Sequence, residues 1–94
     1  MNIPDKVKIG AFEWTVGMNE NLMHEREERA CCRPKRLMIE IDPGCEPVPQ
    51  EESLMHEILE AICWQYNVQF ESHKDLSVMA TVLHQVIRDN PAIF

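Results

Sequence analysis

The segment from Leu54 to Ile62 carries the side chains with the clearest capacity for chemistry. His56 and Glu57 stand side by side in it, and Glu60 follows four residues after the histidine. Residues four apart on a helix lie on one face, separated by about 6 Å of rise, so both side chains can close on one ion. An imidazole and a carboxylate suit zinc or manganese, and the intervening Glu57 suits a general base. The alternative is a solvated helix face without bound metal.

Two predicted helices must position these groups. Apolar residues recur at helical spacing from Leu54 to Ile62, which predicts a helix over about 50–66 with Pro49 in its first turn. A second amphipathic pattern predicts a helix over about 73–89. Ser72 and Asp75 resemble a capping box at its start, and Asn90 with Pro91 ends it. The predicted apolar stripe of this second helix consists of Leu76, Met79, Ala80, Leu83 and Ile87.

The first part of the chain is predicted to form a sheet. Alternating polar and apolar residues predict strands at Lys6–Ile9, Phe12–Val16 and Arg36–Ile41, and the polar stretch 17–28 is predicted to be a loop or a frayed helical turn. We therefore expect a single α+β domain over 1–94, a three-stranded antiparallel sheet packed by two helices in the order β-β-β-α-α.

Composition narrows the class of protein. The 45% hydrophobic and 27% charged content is typical of a globular domain, and the chain contains no apolar run of about 18 residues, so we expect no membrane span. The formal charge of −7 makes nucleic acid an improbable partner, because such binding depends on clustered basic residues. The first residues lack a secretory signal pattern, which predicts a cytoplasmic protein.

The four cysteines are predicted to be free thiols, because disulfides are rare in a reducing compartment. A structural zinc site made from them is disfavoured, since their spacing contains no C-x-x-C pair. The residues concerned are Cys31, Cys32, Cys45 and Cys63.

Four segments, taken together, carry a family resemblance. They are Lys8-Ile9-Gly10 with Phe12-x-Trp14-x-Val16, the strand from Leu37 to Ile41, the helix from Gln50 to Ile62, and the closing stretch from Leu83 to Pro91. In this set the chain resembles small phage and prophage proteins that are similar to minimal gluzincin, or ImmA/IrrE-like, metallopeptidase domains. The resemblance covers nearly the whole chain and preserves the order and spacing of its elements.

This resemblance implies a zincin-like fold and a zinc site with two altered positions. His56 matches the first ligand and Glu57 the general base, whereas Glu60 stands where the family has its second histidine. The family's third ligand, a glutamate, falls on Ser77. Because a catalytic zinc site normally needs three protein ligands and one open position, these two departures bear directly on activity.

Other histidines are candidates to complete the ligand set. His73 lies one turn before Ser77 on the same helix face, so the candidate site is His56, Glu60 and His73, with His24 as a reserve. We expect His84 to pack at a helix edge instead.

The sequence leads us to expect a phage- or prophage-encoded metallopeptidase-like protein that is catalytically inactive. Such a protein is expected to need no cofactor and to hold zinc at low occupancy at most. It would act by binding a host or phage protein in the bacterial cytoplasm. The alternative is a zinc-dependent peptidase with altered ligands, in which Glu57 is the general base. A third hypothesis is a structural metal-binding domain without turnover.

Overall fold

The computed structural model describes residues 3–23, 28–44 and 46–93. In this part of the chain four strands precede two long helices. They are β1 (Lys6–Ile9), β2 (Phe12–Met18), β3 (Ala30–Arg33), β4 (Met38–Ile41), α1 (Pro47–Tyr66) and α2 (His73–Asp89). None of the helices in these ranges is both long enough and apolar enough to cross a membrane.

The sheet differs from the prediction in strand number and in direction. Its order is β1-β2-β4-β3, with β2 and β4 parallel and the two outer pairs antiparallel. The predicted three-stranded antiparallel sheet is therefore wrong, although the α+β class and the two helices are confirmed. The strand missed is β3, which forms an edge of the sheet and lies between the predicted loop 17–28 and the predicted strand at Arg36–Ile41, where no element was predicted.

A tight reversal between β3 and β4 explains why the predicted strand at Arg36–Ile41 begins late. Pro34 opens a single 3-10 turn over Pro34–Arg36, and Leu37 follows in the left-handed conformation with φ 50°. Its N–H donates to the Pro34 carbonyl at 3.0 Å. The chain therefore doubles back before Met38, and β3 pairs with β4 as a hairpin.

A bridge across the outer face of this hairpin supports the β3 pairing. The Arg33 Nε lies 2.6 Å from Glu40 Oε1, and Asn19 donates to the same carboxylate at 3.4 Å. Burial raises the pKa of Glu40, but these hydrogen bonds and the Arg33 charge outweigh it and hold the pKa below its ordinary value of 4.5. The bridge between Arg33 and Glu40 therefore contributes fully to stability above the ordinary pKa, and this contribution is lost as the pH falls through the lowered pKa of the folded state.

The core lies between the other face of the sheet and α1. Trp14, Ile39 and Ile41 of the sheet are fully buried, and Leu54 and Ala61 of α1 pack on them. Burying such an aliphatic or aromatic side chain contributes about 1.5–3 kcal/mol each. The second helix, α2, packs against α1 rather than against the sheet. This stacking leaves a groove between β3 and the two helices.

The helix ends follow from local sequence. Helix α1 begins at Pro47, three residues before the predicted start at 50, because first-turn N–H groups need no helical partner and proline lacks one. It ends at Asn67, which adopts the left-handed conformation with φ 54° and donates its N–H to the Cys63 carbonyl. Helix α2 begins at His73, since the Ser72 side chain accepts from the Asp75 N–H at 3.1 Å.

One row of α2 faces α1, and it differs from the predicted stripe. Leu76, Ala80 and His84, spaced four residues apart, are the buried residues of α2. Met79, which was predicted to be in the stripe, is 43% exposed, and His84, which was predicted at a helix edge, is only 1% exposed. The helix is thus rotated about its axis relative to the prediction.

The Ser72 cap provides a test of the α2 start, where the ligand candidate His73 lies. Ser72→Ala removes the acceptor for the Asp75 N–H, so the free energy of unfolding in urea should fall by about 1 kcal/mol. Ser72→Asp keeps an acceptor and serves as the control. Equal stabilities of the two variants would contradict this assignment of the helix start.

Candidate metal site

Three side chains predicted to bind metal converge at one end of the groove. One potential ligand atom from each of His56, Glu60 and His73 lies within 4.8 Å of the other two. The Glu60 Oε1 is 3.3 Å from His56 Nε2 and 3.9 Å from His73 Nδ1, and the two imidazole centroids are 4.9 Å apart. The helical hairpin thus brings together groups that are 17 residues apart in sequence from first to last.

The spacing of these atoms fits a zinc ion. Nitrogen and oxygen ligands about 2.0–2.1 Å from a tetrahedral zinc lie about 3.4 Å from each other. The His56 to Glu60 distance of 3.3 Å already has this value. Since the side chain of His73 is 72% exposed, a rotation about its own bonds can close the remaining gap without moving the core. The donors, two imidazoles and a carboxylate, are of the types found in zinc sites.

Glu57 lies directly beside this cluster. Its Oε2 is 4.0 Å from His56 Nε2, and its side chain is only 7% exposed, compared with 35% for Glu60. A buried carboxylate loses the solvation of its charge, so a cation close by stabilises it. The two glutamates of the motif therefore differ in environment: Glu60 reaches solvent at the mouth of the site, and Glu57 faces inward.

The cluster lines one wall of a groove of about 630 Å³. The lining residues come from β3, from the two residues that precede it, and from α1 and α2. They are Glu28, Arg29, Ala30, Cys31, Cys32, Pro49, Glu52, Ser53, His56, Glu57, Glu60, His73, Ser77, Ala80 and Thr81. Ser77, where the resemblance predicts a third ligand position, lines this groove one turn beyond His73.

Cys32 also lines this groove, a position near the proposed metal ligands that the sequence did not predict. It is paired with Ile39 and packs at the margin of the core, on the sheet face that α1 covers. Burial first, and then the charges of Glu57 and Glu60 and the neighbouring Cys31, raise the pKa of its thiol from 9.0 to about 12. Prediction of a strand over Ala30–Arg33 would have shown that the Cys32 side chain points toward α1. These four residues lack a clear polar–apolar alternation, so no strand signal is present there.

His84 lies outside the metal cluster, between two other glutamates. Its Nε2 is 3.8 Å from Glu51 Oε2, and its Nδ1 is 3.9 Å from Glu52 Oε1. Because the two carboxylates approach different ring nitrogens, one ion cannot bind all three side chains. The reserve candidate, His24, lies outside the described residues, as does Cys45. Within the described residues, Cys31, Cys32 and Cys63 form no disulfide, in agreement with the prediction.

Comparisons with family models, with curated proteins and with solved structures found no match for this chain. The function is therefore inferred from the geometry of the site.

The environment of Cys32 predicts its reactivity. A rise in pKa from 9.0 to about 12 leaves roughly a thousandfold less thiolate near pH 8, so alkylation of Cys32 in metal-free protein should be slow. Glu57→Gln should accelerate it by removing one negative charge. The measurement is the alkylation rate of the Cys32 peptide by mass spectrometry, with urea-unfolded protein as the reference. Equal rates in the folded and unfolded protein would contradict the position given to this thiol.

Proposed function

We propose that this protein is a zinc-dependent hydrolase of the metallopeptidase type, with His56, Glu60 and His73 as its metal ligands. The observation that carries the proposal is the convergence of these three side chains with the Glu57 carboxylate 4.0 Å from His56. The geometry thus favours the alternative that the sequence left open over the inactive protein. A solvated helix face does not require a histidine from a second helix to approach the same carboxylate.

The composition of the ligand set supports this function. Two imidazoles and one carboxylate are the donors of a common type of catalytic zinc site. Relative to the resembled family, Glu60 replaces a histidine, and His73 supplies a histidine near the position where Ser77 replaces a glutamate. The two departures compensate each other, so the number, type and charge of the ligands are conserved. Independent loss of function would not be expected to conserve all three.

The remaining residues of the site have definite roles in this proposal. Zinc in such a site supplies Lewis acidity, which makes water nucleophilic near neutral pH. The inward-facing carboxylate of Glu57 accepts the proton of the attacking water and later delivers it to the leaving amine. Glu60 would supply its Oε1 to the ion, and the same oxygen lies 3.3 Å from His56 Nε2 and 3.9 Å from His73 Nδ1.

The edge strand offers a place for an extended peptide. Asp42 donates its N–H to the Arg29 carbonyl at 2.8 Å, and the antiparallel ladder therefore turns the backbone groups of Ala30 and Cys32 away from β4, toward the free edge. A peptide strand can pair with such an edge beside the metal ligands. The proposed substrate is therefore a peptide bond in an extended segment, and the proposed location is the cytoplasm of a bacterial host.

A second candidate function is the binding of a protein partner without catalysis. It is favoured by apolar side chains on the outer face of α2, where Val78, Val82 and Met79 are 54%, 49% and 43% exposed. Exposed apolar patches commonly mark protein interaction sites. This function requires no metal, so metal binding separates the two candidates.

The first prediction of the proposal is a stoichiometric zinc site. Protein purified without a histidine tag should bind one equivalent of zinc that survives dialysis, and His73→Ala should weaken binding by about 10- to 100-fold or more. Lys74→Ala is the matched control, because Lys74 is exposed on the same turn and is not among the converging donors. Binding should be measured by competition with a chromogenic chelator. If His73→Ala and Lys74→Ala bind zinc equally well, the proposed ligand set is wrong.

A second prediction concerns the compensation between ligand positions. In the His73→Ala background, Glu60→His together with Ser77→Glu should restore zinc affinity, because both positions line the same groove as His56. Each of these two changes alone should restore less. Failure of the combined variant to exceed the His73→Ala protein would show that Ser77 does not face the ion.

A further inference from the structure

We propose that Cys32 is a fourth ligand of the ion held by His56, Glu60 and His73, and that its sulfur closes the site until a substrate enters. The inference rests on the proposed function, since it concerns the same ion. It adds a resting state in which the position needed by the attacking water is taken by a protein side chain.

The position of Cys32 on β3 is the first support. The strand register pairs it with Ile39, which is fully buried on the face covered by α1. The side chain is therefore directed toward α1 rather than toward the outer face of the sheet. It lines the same groove as the three ligand candidates, and Glu57 and Glu60 are close enough for their charges to act on its thiol.

The opposite orientation of the adjacent residue provides an internal control. Cys31 is paired with Glu40, and its Sγ lies 3.7 Å from Glu40 Oε1 in the bridge that Arg33 forms on the outer face. The two thiols are neighbours in sequence, yet their side chains leave the strand in opposite directions. Both residues line the groove, but of the two thiols it is that of Cys32 that is directed toward the face covered by α1. Comparison of the two substitutions therefore tests the position of the thiol rather than thiol content.

The chemistry of closure is a ligand exchange without a redox change. The S–H bond of Cys32 breaks, its proton passes to solvent, and the sulfur donates an electron pair to the ion in place of a water molecule. Four protein ligands without an open position are characteristic of closed zinc sites, whereas a site with three ligands is open to water. Thiolate is also a softer donor than carboxylate and favours zinc over manganese or magnesium. A substrate strand that pairs with the free edge of β3 would form hydrogen bonds with the backbone of Cys32, the residue that carries the sulfur.

Cobalt substitution tests this proposal with the metal alone as the probe. Metal-free protein titrated with Co²⁺ should develop visible bands of a four-coordinate ion together with a sulfur-to-cobalt charge-transfer band in the near ultraviolet. Cys32→Ser should lose the charge-transfer band and bind zinc about 10- to 100-fold more weakly, whereas Cys31→Ser should retain both properties. X-ray absorption of the zinc-loaded wild-type protein should show one sulfur at about 2.3 Å beside nitrogen and oxygen ligands, and it requires no variant to fold.

The outcomes separate this inference from the function on which it rests. Four-coordinate cobalt bands without charge transfer, or zinc without a sulfur neighbour, would overturn the role of Cys32 and leave the three-ligand site intact. A charge-transfer band that persists in folded Cys32→Ser would also overturn it, because the sulfur would come from another cysteine. Absence of stoichiometric cobalt binding by the wild-type protein would overturn both proposals together.

Discussion

Helix α1 has to bury apolar side chains against the sheet while it holds carboxylates at the edge of the same interface. Leu54 and Ala61 fix its rotation, because they pack on the buried residues of the sheet. With that rotation fixed, Glu57 is turned inward and is only 5% exposed, and His56 and Glu60 lie at the groove. The packing of α1 thus sets the environment of both carboxylates, with Glu57 buried beside His56 and Glu60 partly open to solvent.

The hairpin of α1 and α2 brings the three proposed metal ligands together. The left-handed Asn67 ends α1, and the Ser72 cap starts α2 at the residue that faces Glu60. His73 is thus the first residue of its helix, where its side chain is largely exposed and can adjust to an ion. Binding of zinc at this point would tie the start of α2 to the middle of α1, so metal affinity and the stability of the helix pair should be coupled.

A residue of the sheet, Cys32, also lines the groove. Cys32 reaches the region of the ligands only because β3 is a strand whose covered face is turned toward α1. In the proposed hydrolase an open coordination position is needed, and the proposed ligation by Cys32 would close it. In this proposal, catalysis would depend on helix α1, which carries Glu57, and closure of the metal site would depend on the edge strand β3, which carries Cys32. The two elements meet across the groove.

The sequence predicted the parts of this structure that local signals determine. The period of the apolar residues located both helices, and the Ser72 cap located the start of α2. The family resemblance, which implies a third ligand near Ser77, then led to the prediction of His56, Glu60 and His73 as a ligand set. Strand β3 was missed because four residues without clear alternation resemble a loop. The parallel pairing of β2 with β4 depends on contacts far apart in sequence, as does the rotation of α2 that buries His84, and neither leaves a local signal.

A crystal structure of the zinc-loaded protein, with an anomalous difference map recorded at the zinc edge, tests the central claim most directly. We predict a single peak bonded to His56, Glu60 and His73, with Glu57 beside it. A peak elsewhere, for instance against His84 and Glu51, or a map without a peak in protein that has been given stoichiometric zinc, would contradict the account.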